Sequence, residues 1–411
     1  MKKELKQKAN FNLDTCPSKV NRRKSKQSAI HKILNLTALI SLVIAFAYGF
    51  VLQNGSYKEM LMPFLDGKTT NLVSSKPNLY EVLNDKNELL SYCGIQEQIG
   101  YGGPMTIATE VNLNGEIINV FTLDHKETQS FYVKLINNNF FDQFIGMNVN
   151  SLFLPEKDID VVSGATISSV AFTKTIELTS YFAGRNYLGF NIPEKLTKWK
   201  FGKNEIGLIL LFAFAFLAVY KKKKILTSIS LGISFMFLGF YLNASLSITS
   251  FGSVLLGYLP DFKQHLIWWL LVGVSISSAV ILKKNVYCSN MCPFHAAQKG
   301  LVLISGMKFR LPIKIQQIAK HTSKFLLWGC LMLIFISSNP TLSSFEPFAI
   351  FFSLEGIGIQ WYILPATLIG SIFISDFFCK YFCPVGRTFT YIIKFRKSVD
   401  LLYQSLVTAK K

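Results

Sequence analysis

Six apolar segments recur along this chain, and they constrain its fold more than any other feature of the sequence. They lie at about residues 33–52, 205–220, 225–245, 264–282, 325–338 and 361–378. A bilayer core about 30 Å thick is crossed by roughly 20 helical residues, so the segments predict six transmembrane helices. Half of the residues are hydrophobic and only 16% are charged, which excludes a disordered chain.

Basic residues are concentrated in four blocks between the apolar segments. The blocks 1–32, 221–224, 283–324 and 379–411 hold 10, 4, 8 and 7 of the 43 Lys and Arg residues. Such blocks mark the cytoplasmic side of a membrane protein. We therefore expect a multi-pass protein of the bacterial cytoplasmic (inner) membrane with both termini in the cytoplasm. Its net charge of +19 then serves contact with membrane lipid and not with nucleic acid.

The first apolar segment allows two interpretations. The string ILNLTALISLVIAFAYGFVL follows a long basic leader and would be a signal peptide if the chain were cut after AFA. Because the apolar run continues past AFA to Leu52, an uncleaved anchor is favoured. The expected organisation is a cytoplasmic tail at 1–32, an anchor at 33–52, an extracytoplasmic domain at 54–204, a five-span domain with an internal repeat at 205–378, and a cytoplasmic segment at 379–411.

The block between the first two spans has the pattern of a folded domain outside the membrane. The string TIATEVNLNGEIINVFTL, residues 106–123, alternates on both sides of Asn114-Gly115 and predicts a β-hairpin. Residues 167–184 predict a helix. The expected fold class is a six-span α-helical membrane protein with an inserted extracytoplasmic α+β domain.

The string DVVSGATISS, residues 160–169, stands before that predicted helix. Its plain interpretation is a helix start with Ser163 or Thr166 as N-cap and Gly164 in a tight turn. Two further strings precede it in the same domain, GYGGPM at 100–105 and HKET at 125–128. Together with the Asp that stands six residues before the Thr, they favour a cofactor site over a simple helix start.

These strings resemble the FMN-binding domain of the NqrC and RnfG flavoprotein subunits, whose Dxx[ST]GAT motif carries FMN in phosphoester linkage on its last Thr. The resemblance covers about residues 95–185. It implies covalent FMN on Thr166 and an ApbE-type flavin transferase as a partner. The family's HxETPG is HKETQS here. The residues to which the resemblance assigns flavin binding besides Thr166 are Asp160, Ser163, Gly164, Ala165, Tyr101, Gly102, His125 and Glu127.

Four of the seven cysteines fall in two CxxxCP strings, Cys288-x3-Cys292-Pro293 and Cys379-x3-Cys383-Pro384. Each string closes a similar unit that begins with Ser-Phe, at 250–251 and at 344–345. We therefore expect a repeat in the membrane half, with both copies running in the same direction; convergent apolar composition is the alternative. A pseudo-two-fold axis along the membrane normal would bring the four thiolates together on the cytoplasmic side as metal ligands.

Four thiolates suit either an iron–sulfur cluster, here of the 4Fe–4S type, or structural zinc. The neighbouring flavin domain favours the cluster. The whole architecture now resembles the NosR/NirI-type and PceC-type membrane flavoproteins. NosR-type proteins continue into a cytoplasmic ferredoxin-like domain, and no cysteine follows Pro384 here. A partner is therefore expected to supply electrons, for which a quinone and a ferredoxin-like donor are the candidates.

The resemblance implies a protein that carries electrons between the cluster and the FMN and so supplies an extracytoplasmic reductase or its maturation. The alternative is a redox-sensing membrane regulator or assembly factor of the NosR type. The two centres are expected on opposite sides of an apolar layer roughly 30 Å thick, and no residue pattern suggests a carrier between them. His295 either supports the cluster or is an interfacial His, and Cys16, Cys93 and Cys330 are expected to bind no metal.

Overall fold

The protein consists of a sheet domain, residues 57–192, and a helical domain, residues 201–409, preceded by the long helix α1 (Pro17–Leu52), which packs along α12 of the helical domain (Ile313–Ser337). This computed structural model describes residues 17–52, 56–65, 69–72, 77–100, 102–190, 192, 199, 201–263, 265–307, 309, 311–354 and 358–409.

The sheet domain is built on a five-stranded antiparallel meander in which each strand pairs with the next along the chain. Its strands are β1 (Thr69–Leu72), β2 (Leu79–Leu83), β3 (Leu89–Ile99), β4 (Pro104–Asn112) and β5 (Ile117–His125). Its helices are α2 (Tyr57–Leu61), α3 (Gln129–Asn137) and α4 (Thr166–Asn186). The predicted hairpin is confirmed as β4 and β5, and Gly115 in their connection has φ +83°. The predicted helix is confirmed as α4.

Strand β4 is buried along both faces because helical segments cover the sheet from opposite sides. On one face, Met105 and Ile107 pack in the same core as Ile176 of α4. On the other face, Ala108 packs with Leu61 at the end of α2. This layering places the start of α4 and the end of β5 on the same side of the domain, where the candidate site lies.

The helical domain contains long helices joined by short, broken ones. Its helices are α5 (Lys203–Lys221), α6 (Lys224–Ser234), α7 (Ile248–Leu256), α8 (Leu266–Trp269), α9 (Ser275–Ile281), α10 (Val286–Asn290), α11 (Pro293–Ser305), α12, α13 (Phe348–Ser353), α14 (Gln360–Phe373), α15 (Phe377–Tyr381) and α16 (Pro384–Ala409). The segments Phe235–Tyr241 and Leu270–Val274 are π-helical and continue α6 and α8.

Within the described residues, three helices have the length and apolar composition needed to cross a membrane: Ile33–Leu52, Lys203–Lys221 and Lys224–Tyr241. A fourth is counted if Leu266–Ile281 and Val286–Ser305, which meet at 109°, form one bent span. The apolar helix His321–Ser337 is shorter. The apolar helices support a membrane protein, and the six-span arrangement stays a prediction because the later segments are short or bent.

Two non-helical segments, 243–247 and 344–347, lead into the short helices α7 and α13. Both are at least partly buried, and they meet where the backbone N–H of Ile248 donates to Oε1 of Glu346 at 2.9 Å. Irregular backbone at membrane depth is tolerated where protein covers it or where it lines a cavity. The contact therefore joins the two repeat units at their irregular segments.

Candidate functional site

Glu127 connects three strings that are far apart in the sequence. Its side chain is fully buried, Oε1 accepts a hydrogen bond from the backbone N–H of Gly102 (3.1 Å), and Oε2 accepts one from the hydroxyl of Ser168 (2.9 Å). GYGGPM, HKET and SGATISS thus form one site. Tyr101 lies outside the described residues.

The glycines of GYGGPM permit the close approach of these strings. A Cβ on Gly100 would lie 2.2 Å from Oε1 of Glu127, and a Cβ on Gly102 would lie 2.5 Å from the carbonyl oxygen of Lys126. The second contact is with a backbone atom, which cannot shift as easily as the end of a side chain. A side chain at Gly102 would therefore separate the loop from the HKET string.

Thr166 is the first residue of α4, and its side chain is exposed. The N-cap is Ala165, which makes no side-chain capping bond, so the interpretation of Ser163 or Thr166 as N-cap is wrong. Gly164 has φ +78°, a conformation that glycine adopts without strain. The turn that precedes the helix therefore presents the Thr166 side chain to solvent instead of using it to cap the helix.

The surroundings of Thr166 suit a phosphate group. The N-terminus of the 21-residue helix α4 carries a partial positive charge, and a Cβ on Gly164 would lie only 2.9 Å from the amino group of Lys134. Lys134, Asp160 and Ser163 line an open cavity of about 510 Å³. Asp160 is held there through its backbone, which exchanges two hydrogen bonds with the amide of Gln143 (2.8 and 3.1 Å).

His125 lies at the end of β5, and its ring lies against Tyr132 with 3.8 Å between the ring centroids. Burial lowers the pKa of His125. Its buried Nδ1 has no hydrogen-bond partner among the described residues. A neutral imidazole with one unsatisfied nitrogen is suited to hydrogen-bond a polar ligand atom, although it can equally bond to water.

The two CxxxCP strings adopt the same local structure. A five-residue helix, α10 or α15, ends just before the second cysteine of each pair, and the following Pro begins a longer helix, α11 or α16. The backbone N–H of Cys292 donates to the carbonyl oxygen of Tyr287, and that of Cys383 to Phe378, both at 2.9 Å. The two strings therefore match in local structure as well as in sequence.

The four thiols come together around one end of the helical domain. Cys288, Cys379 and Cys383 line an open cavity of about 890 Å³, and Cys292 is buried beside it in electrostatic contact with Cys379. Within the described part of the chain, no three His, Cys, Asp or Glu side chains converge on a point suited to a single metal ion. All six described cysteines are free thiols.

Backbone and side-chain donors point at these sulfurs. The backbone N–H groups of His295 and Gly386, each three residues after a cysteine, donate toward Cys292 and Cys383. Nε2 of Gln298 donates to Sγ of Cys379 at 3.0 Å. Hydrogen bonds to sulfur stabilise thiolates and the negative charge of a cluster, so the donor set fits an iron–sulfur group.

His295 does not bond to a cysteine sulfur through its side chain. Its Nδ1 contacts the carbonyl oxygen of Cys288 (2.5 Å), and its Nε2 lies 3.3 Å from Oδ1 of Asp376, which also pairs with Lys380 (3.2 Å). The histidine therefore links the two cysteine pairs through their backbone frames. Two basic residues, Lys380 and Arg387, also line the cavity.

Two family models match these two parts of the chain. A model of the FMN-binding domain matches residues 100–179. A model of the 4Fe-4S binding domain matches 264–312 and 362–401, and these two segments contain all four CxxxCP cysteines.

Curated relatives combine or share these parts. Regulatory protein NosR of Pseudomonas aeruginosa is 23% identical over 200 residues, which is 44% of this chain and 28% of NosR. Protein NirI of Paracoccus denitrificans is 29% identical over 174 residues, which is 38% of this chain and 25% of NirI. Together, the two family models and these relatives support a NosR/NirI-type FMN-binding membrane protein.

The sheet domain of this NosR/NirI-type protein also has a relative of similar size. An RnfG-type component of the proton-translocating ferredoxin:NAD(+) oxidoreductase complex of Clostridium ljungdahlii is 25% identical over 178 residues, covering 38% of this chain and 94% of that component. The cofactors of this membrane redox protein are therefore FMN and an iron–sulfur cluster. FMN can take up one or two electrons and the cluster one.

The FMN-binding region of this NosR/NirI-type protein packs on the helical domain. The hydroxyl of Ser253 in α7 donates to the carbonyl oxygen of Gly102 at 2.8 Å. Thr128, which follows Glu127 in the sequence, lines a small cavity together with Glu346 and Phe348. The glycine loop and the HKET string thus face the two irregular segments of the helical domain.

A cluster of phenylalanines lies between that cavity and the cysteines. The ring of Phe348 lies 5.3 Å from Phe294 and 5.9 Å from Phe378, measured between centroids. Phe294 follows the first CxxxCP pair and Phe378 precedes Cys379. The two cofactor regions of this NosR/NirI-type protein are therefore joined by a short series of packed side chains.

Several residues of these sites were not predicted from the sequence. Gln298, Ser253 and Glu346 have polar side chains in apolar surroundings, which is the only feature that singles them out. Cys93 lies in the core of the sheet domain and Cys330 in that of the helical domain, and neither lines the cavity of the four thiols. Cys16 lies outside the described residues.

Proposed function

We propose that this protein carries electrons through the membrane between the four-cysteine iron–sulfur site and FMN bound covalently to Thr166. The final substrate is then reduced by another protein, an extracytoplasmic reductase or a factor of its maturation. Electrons enter from a cytoplasmic partner, for which a quinone and a ferredoxin-like protein are the candidates. The contact series from Gly102 and Thr128 through Phe348 to Phe294 and Phe378 is the observation that carries the proposal.

The covalent attachment is supported by the chemistry around Thr166. Its side chain is exposed at the start of α4 and makes no capping bond, while Lys134 lies beside Gly164. An ApbE-type transferase would form the phosphoester on that hydroxyl. Thr166→Val is expected to abolish the in-gel flavin fluorescence of the denatured protein. Fluorescence that persists would move the attachment elsewhere, with Ser168 and Ser169 as the nearest hydroxyls.

The orientation that this function requires has the sheet domain outside the cytoplasm and both termini inside. The four basic blocks of the sequence support it. Single cysteines introduced at positions 150 and 310 distinguish the two orientations. An impermeant thiol reagent is expected to label position 150 in intact cells and position 310 only after permeabilisation. The reverse labelling would overturn the orientation and the direction of supply.

Electron transfer itself is tested in sealed liposomes. With a reduced donor only on the cysteine-bearing side, the flavin absorbance is expected to bleach in the unsubstituted protein and not in Cys288→Ser. Added quinone shows whether a diffusible carrier is needed. A flavin that stays oxidised in every such preparation, but bleaches at once when reductant is added on its own side, would disprove the conduit.

The alternative function is a redox-sensing regulator. The relative from Pseudomonas aeruginosa is named a regulatory protein, which specifically favours this candidate. A sensor is expected to equilibrate slowly with a bound partner, whereas a conduit is expected to turn over rapidly with its donor. Stopped-flow reduction of the flavin by the cytoplasmic donor separates the two.

A further inference from the structure

A small polar cavity lies where the sheet domain meets the helical domain. Its volume is about 40 Å³, which accommodates a small ion or a few water molecules but no flavin or quinone ring. Side-chain oxygens from both domains line it, and they belong to Thr128, Ser245, Ser247, Thr249, Ser344 and Glu346. We call this space the junction cavity.

Glu346 supplies the charge of the junction cavity. Its side chain is 2% exposed, and only Oε1 has a partner, the backbone N–H of Ile248 at 2.9 Å. Oε2 is buried and has no hydrogen-bond partner among the described residues. Among the described residues, no Lys, Arg or His lines the cavity. A buried carboxylate without a cation is costly, so this group needs a positively charged ligand or a proton.

Two further polar atoms at the junction cavity are unsatisfied. Ser245 Oγ and the amide Nδ2 of Asn243 are buried and have no hydrogen-bond partner among the described residues. The oxygen and nitrogen of an Asn side chain exchange places by a simple flip, so Asn243 can present either atom to a ligand. Buried polar atoms are rarely left without a partner. Their concentration in one cavity indicates that a ligand satisfies them together.

We propose that the junction cavity binds a monovalent cation such as Na⁺. Neutral hydroxyl and amide oxygens with a single carboxylate balance one positive charge, and hard oxygen donors suit alkali and alkaline-earth ions better than soft metals. The position also fits, because ion sites in repeat-built membrane proteins form at discontinuous helices where the repeats meet. Glu346, Ser245 and Asn243 are the assigned ligands.

The cation site lies next to the thiol site as well as to the sheet domain. The carboxylate of Glu346 acts electrostatically on the thiols of Cys292 and Cys383. Thr128 brings the HKET string to the same cavity. A bound cation therefore offsets negative charge between the two cofactor regions. The proposal goes beyond electron transfer and does not depend on it.

Binding is measured on the full-length protein in detergent with radioactive ²²Na⁺, with choline chloride holding the ionic strength constant. The Thr166→Val background is used, so that failure of flavin attachment cannot affect the result. The expected result is saturable binding of one Na⁺ per chain. Glu346→Gln is expected to abolish it, and Ser245→Ala is expected to weaken it severalfold while leaving the fold intact.

Glu205→Gln is the matched control. Glu205 is also a buried carboxylate of the helical domain, 6% exposed, and its Oε2 caps α5 by accepting from the backbone N–H of Gly202 at 2.7 Å. It does not line the junction cavity, so its substitution is expected to retain Na⁺ binding. Absence of saturable binding, or equal binding by the Ser245→Ala and unsubstituted proteins, would overturn the cation site. The cavity would then contain water and a protonated Glu346.

Discussion

The two CxxxCP units share one backbone frame and differ in the side chains that surround it. Cys379 follows Cys288 by 91 positions, and Cys383 follows Cys292 by the same number. In both units the second cysteine donates its N–H to the residue five positions earlier. The frame is therefore duplicated, as expected for thiols that must project to one side.

The neighbouring positions show the difference. Gln298 donates to the sulfur of Cys379, whereas its counterpart in the second unit is the buried Phe389. His295, which bridges to Asp376, has Gly386 as its counterpart. The first unit thus donates a hydrogen bond to a sulfur of the second through Gln298, and the pair of His295 with Asp376 links the two units. The four thiols therefore have equivalent positions in the backbone frame but different polar surroundings.

Loss of any one ligand is the largest expected effect. Ser at Cys288, Cys292, Cys379 or Cys383 is expected to remove the whole iron–sulfur signal, because one cluster needs ligands from both units. Anaerobic optical spectra with iron and sulfide analysis measure it. Cys330→Ser, in the core of the helical domain, is the control and should retain the signal.

A substitution in one unit that left half of the iron in place would show that the two pairs act separately. Stoichiometric zinc without iron after anaerobic preparation would contradict the cluster.

Tyr287 and its counterpart Phe378 differ by one hydroxyl. The hydroxyl of Tyr287 accepts from the backbone N–H of Leu246 at 2.8 Å, in the irregular segment before α7. Tyr287→Phe leaves that buried N–H without an acceptor, which costs about 1–3 kcal/mol. A lower thermal unfolding midpoint is expected, with iron content retained. Tyr381→Phe, at the open cavity, is the control and should shift the unfolding midpoint less. Equal shifts in the two variants would show that the hydrogen bond from Leu246 to Tyr287 does not contribute to stability.

Asp376 and its counterpart Asn285 differ by a charge. Asp376 is partly exposed and pairs with His295 and Lys380. Asp376→Asn is expected to reduce stability by about 1 kcal/mol or less, as solvent screens such pairs. Thermal unfolding in low and high salt measures it, and the difference from the unsubstituted protein should shrink in high salt. Asp85→Asn, on the surface of the sheet domain, is the control and should have no effect.

Gln298 provides the finest test of the asymmetry. Gln298→Leu removes a hydrogen bond to the sulfur of Cys379, which stabilises the more negative, reduced cluster. The midpoint potential of the cluster is therefore expected to become more negative without loss of iron, as measured by redox titration. Phe389→Leu at the counterpart position should leave it unchanged. Equal shifts in both variants would show that packing and not the hydrogen bond sets the potential.

Local patterns in the sequence were sufficient to predict the hairpin, helix α4 and the cysteine pairs. Each depends on residues close together in the chain: Asn114-Gly115 sets a turn, and the Pro after a cysteine pair sets where the next helix begins. The alternative interpretation of Ser163 or Thr166 as the N-cap of α4 was wrong, since the N-cap is Ala165, one or two positions away. Capping geometry depends on the turn before the helix, which composition does not specify.

Contacts between distant residues could not be predicted in this way. Glu127 bonds to Ser168 across 41 positions, Gln298 to Cys379 across 81, and Ser253 to Gly102 across 151. A polar residue in an apolar stretch signals that it needs a partner, but only packing chooses which one. The sequence therefore did not predict the contacts of Gln298 and Ser253, and the assignment of the ligands themselves stays a prediction.

By itself, the sequence determined which chemistry the chain can hold: apolar helices, a flavin motif and two thiol pairs, all encoded in short strings. It also predicted that the two redox sites lie on opposite sides of an apolar layer. Only the tertiary structure decided how the two regions contact each other, because the irregular segments 243–247 and 344–347 connect the sheet domain to the aromatic cluster beside the cysteines. Buried backbone N–H and C=O groups are stable only where other parts of the chain provide hydrogen-bond partners. The hydropathy of the sequence does not identify those partners.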